Sequence, residues 1–236
     1  ASRRANHQGA ILKKRFISSA REAGARAVLA AAIVLCGGAA IAQPAKETPL
    51  SMVNALHTAF GEHHARAVHT KGVILEGTFT PAPGAKSIVM TPVLAGGAVR
   101  AIARFSLFAG IPTLPDNDDA ASPVGLALKI KAPGGDDFDI VTFQHKDFIV
   151  STFDEFAVFL RAVGTTKPDT PHPNPVEQFL ANHPHAKEFL GSRTYPSSYA
   201  EARYWSINSV KFTNAKAKSS FVRYTVIPRV AEHYLT

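Results

Sequence analysis

The sequence predicts an α+β domain that is mainly β, a closed antiparallel barrel of eight short strands with flanking helices. Short runs rich in Val, Ile and Phe recur with period two between residues 73 and 227, separated by Pro, Gly and Asp clusters. Helical patterns are confined to the stretch before the first run and the stretch between the sixth and seventh, so the strands pair antiparallel with their neighbours in sequence. So many short strands bury their apolar faces most simply by closing into a barrel.

The elements follow in order. Thr48 and Pro49 supply a cap and a first-turn proline for a helix whose Leu50, Val53, Leu56 and Phe60 recur at helical spacing, and Gly61 stops it. The eight strand candidates are Val73 to Thr80, Ser87 to Leu94, Val99 to Leu107, Leu126 to Lys131, Phe138 to Phe143, Phe148 to Val150, Trp205 to Phe212 and Phe221 to Ile227. The last two flank the polar loop 213–219 and read as a hairpin. Thr152 and Glu155 form a capping-box pattern ahead of Phe156, Phe159, Leu160 and Val163, a stripe that ends at Gly164. Asn174 and Pro175 start a short helix that is halted at His183 and Pro184.

Residues 1–42 read as a leader rather than as part of this domain, which then runs from 43 to 236. Seven Lys and Arg precede an uncharged apolar run from Ala27 to Ala42 that ends small-x-small, the layout of a cleaved secretory signal. Periplasmic or exported localisation is expected, with no stable membrane association after cleavage. The leader carries seven of the 26 basic and one of the 18 acidic residues, so 19 basic face 17 acidic in the remainder. The net charge of +8 is thus no sign of a nucleic-acid partner, and no basic stripe interleaved with aromatics occurs. The single cysteine, Cys36, falls within the leader, which excludes disulfides, cysteine-bound zinc and thiolate catalysis from the domain.

His69 follows the first helix and precedes the first strand, so its imidazole can project from the barrel mouth, where it can take a proton from one oxygen and return it to another. Arg66 and Arg104 can each fork onto a carboxylate, a geometry lysine cannot reproduce. Two other groupings carry less. His57 and His64 would share a helix face only if the helix continued past Gly61, and Asp116, Asp118 and Asp119 lack the glycine and glutamate of a calcium loop.

Arg66-Ala67-Val68-His69-Thr70-Lys71-Gly72 resembles the Arg-Val-Val-His-Ala-Lys-Gly pattern of the catalase superfamily, and Arg104-Phe105-Ser106 resembles its Arg-Phe-Ser. Gly125 to Ile130 and Asp139-Ile140-Val141 are similar to two further segments of that family in the same order. Ala202 to Trp205, Lys211 to Asn214 and Phe221 to Tyr224 resemble its small branch of catalase-related haem peroxidases. The resemblance implies a catalase-like barrel that binds haem b and reacts with peroxide. By it His69 is the distal acid/base, Arg66 and Arg104 hold propionates, Val68 narrows the approach to the iron, and Phe148 and Phe156 pack against the porphyrin.

Two departures bear on activity. Where catalases carry a distal Asn, this chain has Phe143 with Gln144 beside it, which predicts weak catalase activity and peroxidase turnover with a small organic reductant. No tyrosine matches the family's proximal iron ligand. Tyr234 lies five residues after Arg229 where the family spacing is four, so the proximal ligand is expected in sequence beyond Thr236. The expected function is therefore an exported haem peroxidase acting on hydrogen peroxide or organic hydroperoxides. The alternatives are a non-catalytic periplasmic module for haem or an apolar ligand, and a haem-dependent fatty-acid hydroperoxide isomerase.

Overall fold

The computed structural model describes residues 46–132, 134–135 and 137–235; the leader and Cys36 lie outside them. Helix α1 (Pro49–Phe60) begins as its sequence predicts, Thr48 and Ser51 exchanging side-chain and backbone hydrogen bonds in a capping box. Its buried face differs from the expected stripe. Met52, Ala55 and Leu56 are buried, whereas Leu50 and Val53 face outward.

Strands β1 (Gly72–Phe79), β2 (Val99–Ser106), β3 (Gly125–Lys131) and β4 (Asp137–Phe143) form an antiparallel meander in sequential register. The predicted strand from Ser87 to Leu94 is replaced by a 3₁₀ turn (Ala85–Ser87) and the short helix α2 (Pro92–Ala95). Pro92 explains the substitution, since it supplies no N–H to a ladder and suits the first turn of a helix. Phe148 to Val150 is irregular rather than a strand and anchors its side chains in the core.

Helix α3 (Phe153–Thr165) is opened by the Thr152 and Glu155 capping box. It lies against α1, with Met52, Ala55, Leu56, Ala157 and Leu160 buried between them. Gly164 does not stop α3 but lets α1 approach: a Cβ there would lie 2.2 Å from the Thr58 carbonyl oxygen. Burial of each large apolar side chain in this contact stabilises by about 1.5–3 kcal/mol. A bidentate pair reinforces it, Arg161 on α3 donating to both Glu47 carboxylate oxygens at 2.6 and 2.9 Å. Helix α4 (Pro175–Asn182) follows as expected. His183 and Pro184 end it and at once begin another, α5 (Pro184–Gly191), because a proline that cannot continue one helix is at ease in the first turn of the next.

The remaining pairings are short. Strand β5 (Tyr195–Pro196) pairs with β10 (Tyr234–Leu235), and β7 (Val210–Thr213) with β8 (Ser219–Val222) as the expected hairpin. Strands β6 (Tyr204–Trp205) and β9 (Thr225–Val226) extend the meander into a six-stranded sheet of order β1-β2-β3-β4-β6-β9. Ser206 divides the predicted strand 205–212. Its backbone N–H donates to the Tyr224 carbonyl and its hydroxyl accepts from the Tyr224 N–H, so the chain bends there instead of continuing the ladder.

The expected closed eight-stranded barrel is not what forms among the described residues. The sheet is open, with β1 and β9 at its edges, and β1 shows why: Val73, Ile74 and Leu75 are about half exposed or more, with no strand on their far side.

Candidate functional site

His69 sits in the loop between α1 and β1 with a left-handed backbone, φ 55°. For a residue with a Cβ this conformation costs about 1–2 kcal/mol, so its surroundings have to hold it there. They do so from both sides. The His69 N–H donates to the Phe108 carbonyl at 2.9 Å, while the Arg104 guanidinium donates to the carbonyls of His69 and Thr70 at 2.8 and 3.1 Å. Hydrogen bonds from a charged donor are worth about 1.5–3 kcal/mol, enough to offset the strain.

The ring is fixed as well. Nδ1 lies 3.0 Å from the Leu107 carbonyl oxygen and 3.1 Å from Ser106 Oγ, and Phe108 stands edge-on to the imidazole with centroids 5.6 Å apart. A carbonyl only accepts, so Nδ1 carries the hydrogen and Nε2 the lone pair. Among the described residues Nε2 has no protein partner. Gly125, at the start of β3, completes the cradle, since a Cβ there would fall 3.1 Å from both Nδ1 and Cε1.

Burial lowers the His69 pKa below the usual imidazole range; the Leu107 hydrogen bond works against this, and the charges of Arg104 and Arg66 work with it. His69 is thus a neutral base near neutral pH. Arg104 is itself pushed down by burial and by the nearby Arg66 charge. Arg66 is exposed and, among the described residues, pairs with no carboxylate. The two guanidinium groups lie within electrostatic reach of each other, and among the described residues neither is paired with an acid, so their positive charge is uncompensated.

The other predicted residues gather one step away. Val68 packs on the core between α1 and α3, as does Phe156, and Phe156 meets Phe148 edge to face with centroids 4.9 Å apart. The structure therefore brings His69, Arg66 and Arg104 into one charged cluster and Val68, Phe148 and Phe156 into an adjoining apolar one, joined through the Val68–His69 peptide. Phe143 is buried against Phe148 and Phe189. Gln144 is buried too, its amide N–H donating to the Thr194 hydroxyl at 2.8 Å while its Oε1 has no hydrogen-bond partner among the described residues.

Nothing in the sequence singles out Leu107 or Phe108, and Ser106 and Gly125 carry no role there beyond their motifs. The strand period alone places Ser106 on the same face as Arg104, two residues away. The Leu107 carbonyl has no such signal, since a backbone acceptor leaves no side-chain signature.

The weaker groupings dissolve. Phe60 ends α1 after His57 but before His63 and His64, and His63 Nε2 bonds to its carbonyl at 2.8 Å. Asp116 pairs with Lys71, Asp118 caps a 3₁₀ turn, and Asp119 accepts from the Tyr195 hydroxyl. No group of three or more metal-ligating side chains occurs among the described residues, nor does any helix long and apolar enough to cross a membrane.

The catalase family profile matches residues 57–236, a span that contains every residue of this site. The chain belongs to the catalase family. It is similar to a catalase-related peroxidase of Synechococcus elongatus, 32% identical over 197 residues that cover 80% of this chain and 57% of the relative. It is similar also to a catalase-related peroxidase of Mycolicibacterium paratuberculosis, 30% identical over 194 residues that cover 80% and 60%. The chain thus spans less than two thirds of the length of these curated relatives. Among solved structures, a fungal catalase superposes with TM-score 0.57 at 20% identity over 68% of this chain and 33% of the other. Catalase A from Saccharomyces cerevisiae superposes with TM-score 0.63, also at 20% identity, over 73% and 36%.

Members of the catalase family bind haem, and this catalase-family chain fits the group on one side. Paired arginines without acids suit propionates, and the pinned imidazole with a free Nε2 suits the acid/base face. No described tyrosine suits the iron. All five phenols are pushed above their ordinary pKa, chiefly by burial or, for Tyr195, by its bond to Asp119, which is the opposite of what a bound phenolate needs. Tyr234 lies in β10, its hydroxyl accepting from the Arg203 N–H and donating to Glu232.

Proposed function

We propose that this chain carries the acid/base side of an exported haem peroxidase that reduces hydrogen peroxide or organic hydroperoxides with electrons from a small organic donor. One observation carries the reading: a strained, neutral histidine whose Nδ1 is pinned and whose Nε2 is free, beside two arginines that lack acids.

In this reading Arg66 and Arg104 bind the two propionates of haem b, and Phe148 and Phe156 supply flat apolar contact while Val68 restricts access. When bound, the haem iron supplies the two-electron chemistry that cleaves the oxygen–oxygen bond. His69 Nε2 takes the proton from one peroxide oxygen and delivers it to the other, which leaves as water or an alcohol. The Leu107 carbonyl keeps Nδ1 protonated, so the tautomer is set before substrate arrives, and it stabilises the imidazolium while the proton is held. Such positioned acid/base transfer contributes roughly 10²- to 10⁴-fold. The balance is ROOH + AH₂ → ROH + H₂O + A, with AH₂ the organic donor. Phe143 at the amide position, with the Gln144 amide N–H held by Thr194, supports weak catalase activity at most.

The test is to supply haem, titrate it by absorbance, and follow the spectrum after peroxide is added. Haem uptake with a rapid peroxide-dependent change is expected, slowed at least about a hundredfold in His69→Ala. Uptake without any response to peroxide would replace this reading by that of a binding module, and an unaltered rate in His69→Ala would remove the histidine from the chemistry.

A further inference from the structure

We propose that Lys71 is a positioning residue for His69: its side chain fixes the loop whose Leu107 carbonyl decides which imidazole nitrogen carries the hydrogen. This rests on the acid/base reading of His69 and adds to it the residue that holds the ring's anchor in place.

The segment 107–121, between β2 and β3, is zipped to the His69 segment along its outgoing leg. Leu107 N–H donates to the Lys71 carbonyl at 3.0 Å, His69 N–H to Phe108 at 2.9 Å and Thr70 N–H to Ala109 at 3.3 Å. The peptide that bears the Leu107 carbonyl is held at its other end, where Phe108 N–H donates to the Ala121 carbonyl at 3.0 Å on the returning leg. Between the legs, Lys71 Nζ donates to the Leu114 carbonyl at 2.7 Å and meets the Asp116 carboxylate at 2.8 Å. Lys71 therefore grips the loop twice, by its main chain at Leu107 and by its side chain at Leu114. Leu107 and Leu114 are buried in one core cluster, so a shift of one is transmitted to the other. Of the two contacts of the ammonium, the carbonyl carries the hold. The Asp116 side chain is 75% exposed, and an ion pair in solvent contributes little, whereas a charged donor on a partly buried carbonyl is among the stronger hydrogen bonds.

The consequence falls on the tautomer. Nδ1 lies 3.0 Å from the Leu107 carbonyl oxygen and 3.1 Å from Ser106 Oγ. A carbonyl only accepts, but a hydroxyl can also donate. While the carbonyl stays within reach, Nδ1 has to carry the hydrogen. Once it withdraws, Ser106 can donate to a bare Nδ1 and the hydrogen passes to Nε2, the nitrogen that must be free to take a proton from peroxide. The bond to Leu107 has only about 0.5 Å of slack before it leaves the useful range, so a small relaxation of the loop suffices.

The test reads the ring directly and needs no haem. In the whole chain with ¹⁵N-labelled histidine, NMR follows the exchange of the His69 Nδ1–H with water and the ratio of the two tautomers. Lys71→Met should speed that exchange by at least about fivefold and move the ratio toward Nε2–H by about twofold to tenfold, the weight of one neutral hydrogen bond. Lys71→Arg, which keeps a charged donor, should return both to within about twofold of the unaltered chain. Amide exchange along the pairing of β3 with β4 should stay unchanged in Lys71→Met, and Asp116→Asn should leave the ring as it is. Lys71→Gln, too short to reach Leu114, repeats the measurement should Lys71→Met fail to fold. An unmoved ring in the folded variant overturns the inference, as does equal acceleration along β3 and β4, which would make Lys71 a brace for the whole domain. An effect of Asp116→Asn as large as that of Lys71→Met also overturns it, because the hold would then lie in the ion pair. The reaction of the unaltered haem-loaded chain with peroxide reports separately on the peroxidase reading: an unmoved ring with that reaction intact sinks only the role of Lys71.

Discussion

Gly125→Ala tests the site through one methyl group. Gly125 has an ordinary backbone conformation, so alanine introduces no strain of its own, and its Cβ acts only by what it meets. That Cβ falls 3.1 Å from His69 Nδ1 and Cε1 and 3.0 Å from Ser106 Oγ, against roughly 3.5–4.0 Å for relaxed carbon contacts. The ring therefore has to retreat by about half an ångström. Nδ1 now lies 3.0 Å from the Leu107 carbonyl, and the same displacement carries it to about 3.5 Å, past the range of a useful hydrogen bond. Losing that bond costs about 0.5–1.5 kcal/mol, a fall in Tm of a few degrees at this chain length. The catalytic effect should be larger than the stability effect. A displacement near 1 Å costs about 10²-fold, so about half that displacement should slow the peroxide reaction by about tenfold or more. The assay pairs stopped-flow absorbance with ¹⁵N chemical shifts of the His69 ring, which report the tautomer. If the rate and the ring shifts both stay at wild-type values, Gly125 does not cradle the imidazole and the pinned-tautomer argument fails.

Other perturbations report on neighbouring parts of the site. With its pKa lowered in the folded chain, His69 binds fewer protons there than when unfolded between that value and the ordinary imidazole pKa. Stability should rise with pH across that window, and denaturant titrations of His69→Gln should lose the slope. The peroxide reaction, which needs the neutral ring, should fall on acidification only below the ordinary histidine range; a midpoint above that range would contradict the burial argument. Arg104→Lys keeps the charge but loses the planar fork whose Nη2 holds both carbonyls while the other N–H groups stay available for a carboxylate, so it should weaken haem binding by at least about tenfold and lower Tm, whereas Arg66→Lys, in an exposed residue, should affect haem binding alone. Arg161→Ala should loosen the contact between α1 and α3. The bond from Arg161 holds the Glu47 carboxyl down at about 2, so the acid-unfolding midpoint should move to higher pH in that variant.

The elements legible in the sequence are those whose signal is local. Thr48, Thr152 and Asn174 each mark a helix start, and the meander from β1 to β4 follows the period-two runs nearly residue for residue. What was misread depends on partners distant in sequence. Val89 and Val93 form an apolar run that looks like a strand, yet both are buried from a turn and a short helix, because Pro92 denies a ladder its donor. Ser206 splits a strand through Tyr224, 18 residues away. The candidate site divides in the same way. His69 and both arginines are legible because Arg66 to Gly72 and Arg104 to Ser106 form motifs in order, but the Leu107 carbonyl and the empty space at Gly125 are defined only by folding. Closure into a barrel would bury both faces of the sheet, and β1 shows no such closure, Ile74 remaining two-thirds exposed.

A bland account of His69 would make it a brace for the loop between α1 and β1, and the energetics argue against that. A brace earns its place by stabilising, yet this residue adopts a left-handed backbone, loses hydration of its ring, and satisfies only one of two ring nitrogens. The two guanidiniums nearby add mutual repulsion that no acid among the described residues offsets. An asparagine would take the same φ with less strain and keep the backbone N–H donation to the Phe108 carbonyl. Local stability is spent at His69 without local return, and such outliers persist where strain and shifted protonation serve binding or chemistry. Asn in place of His69 therefore separates the two accounts: if it preserves or raises Tm while abolishing the reaction with peroxide, the residue is kept for proton transfer, and if it lowers Tm by several degrees, the brace account gains.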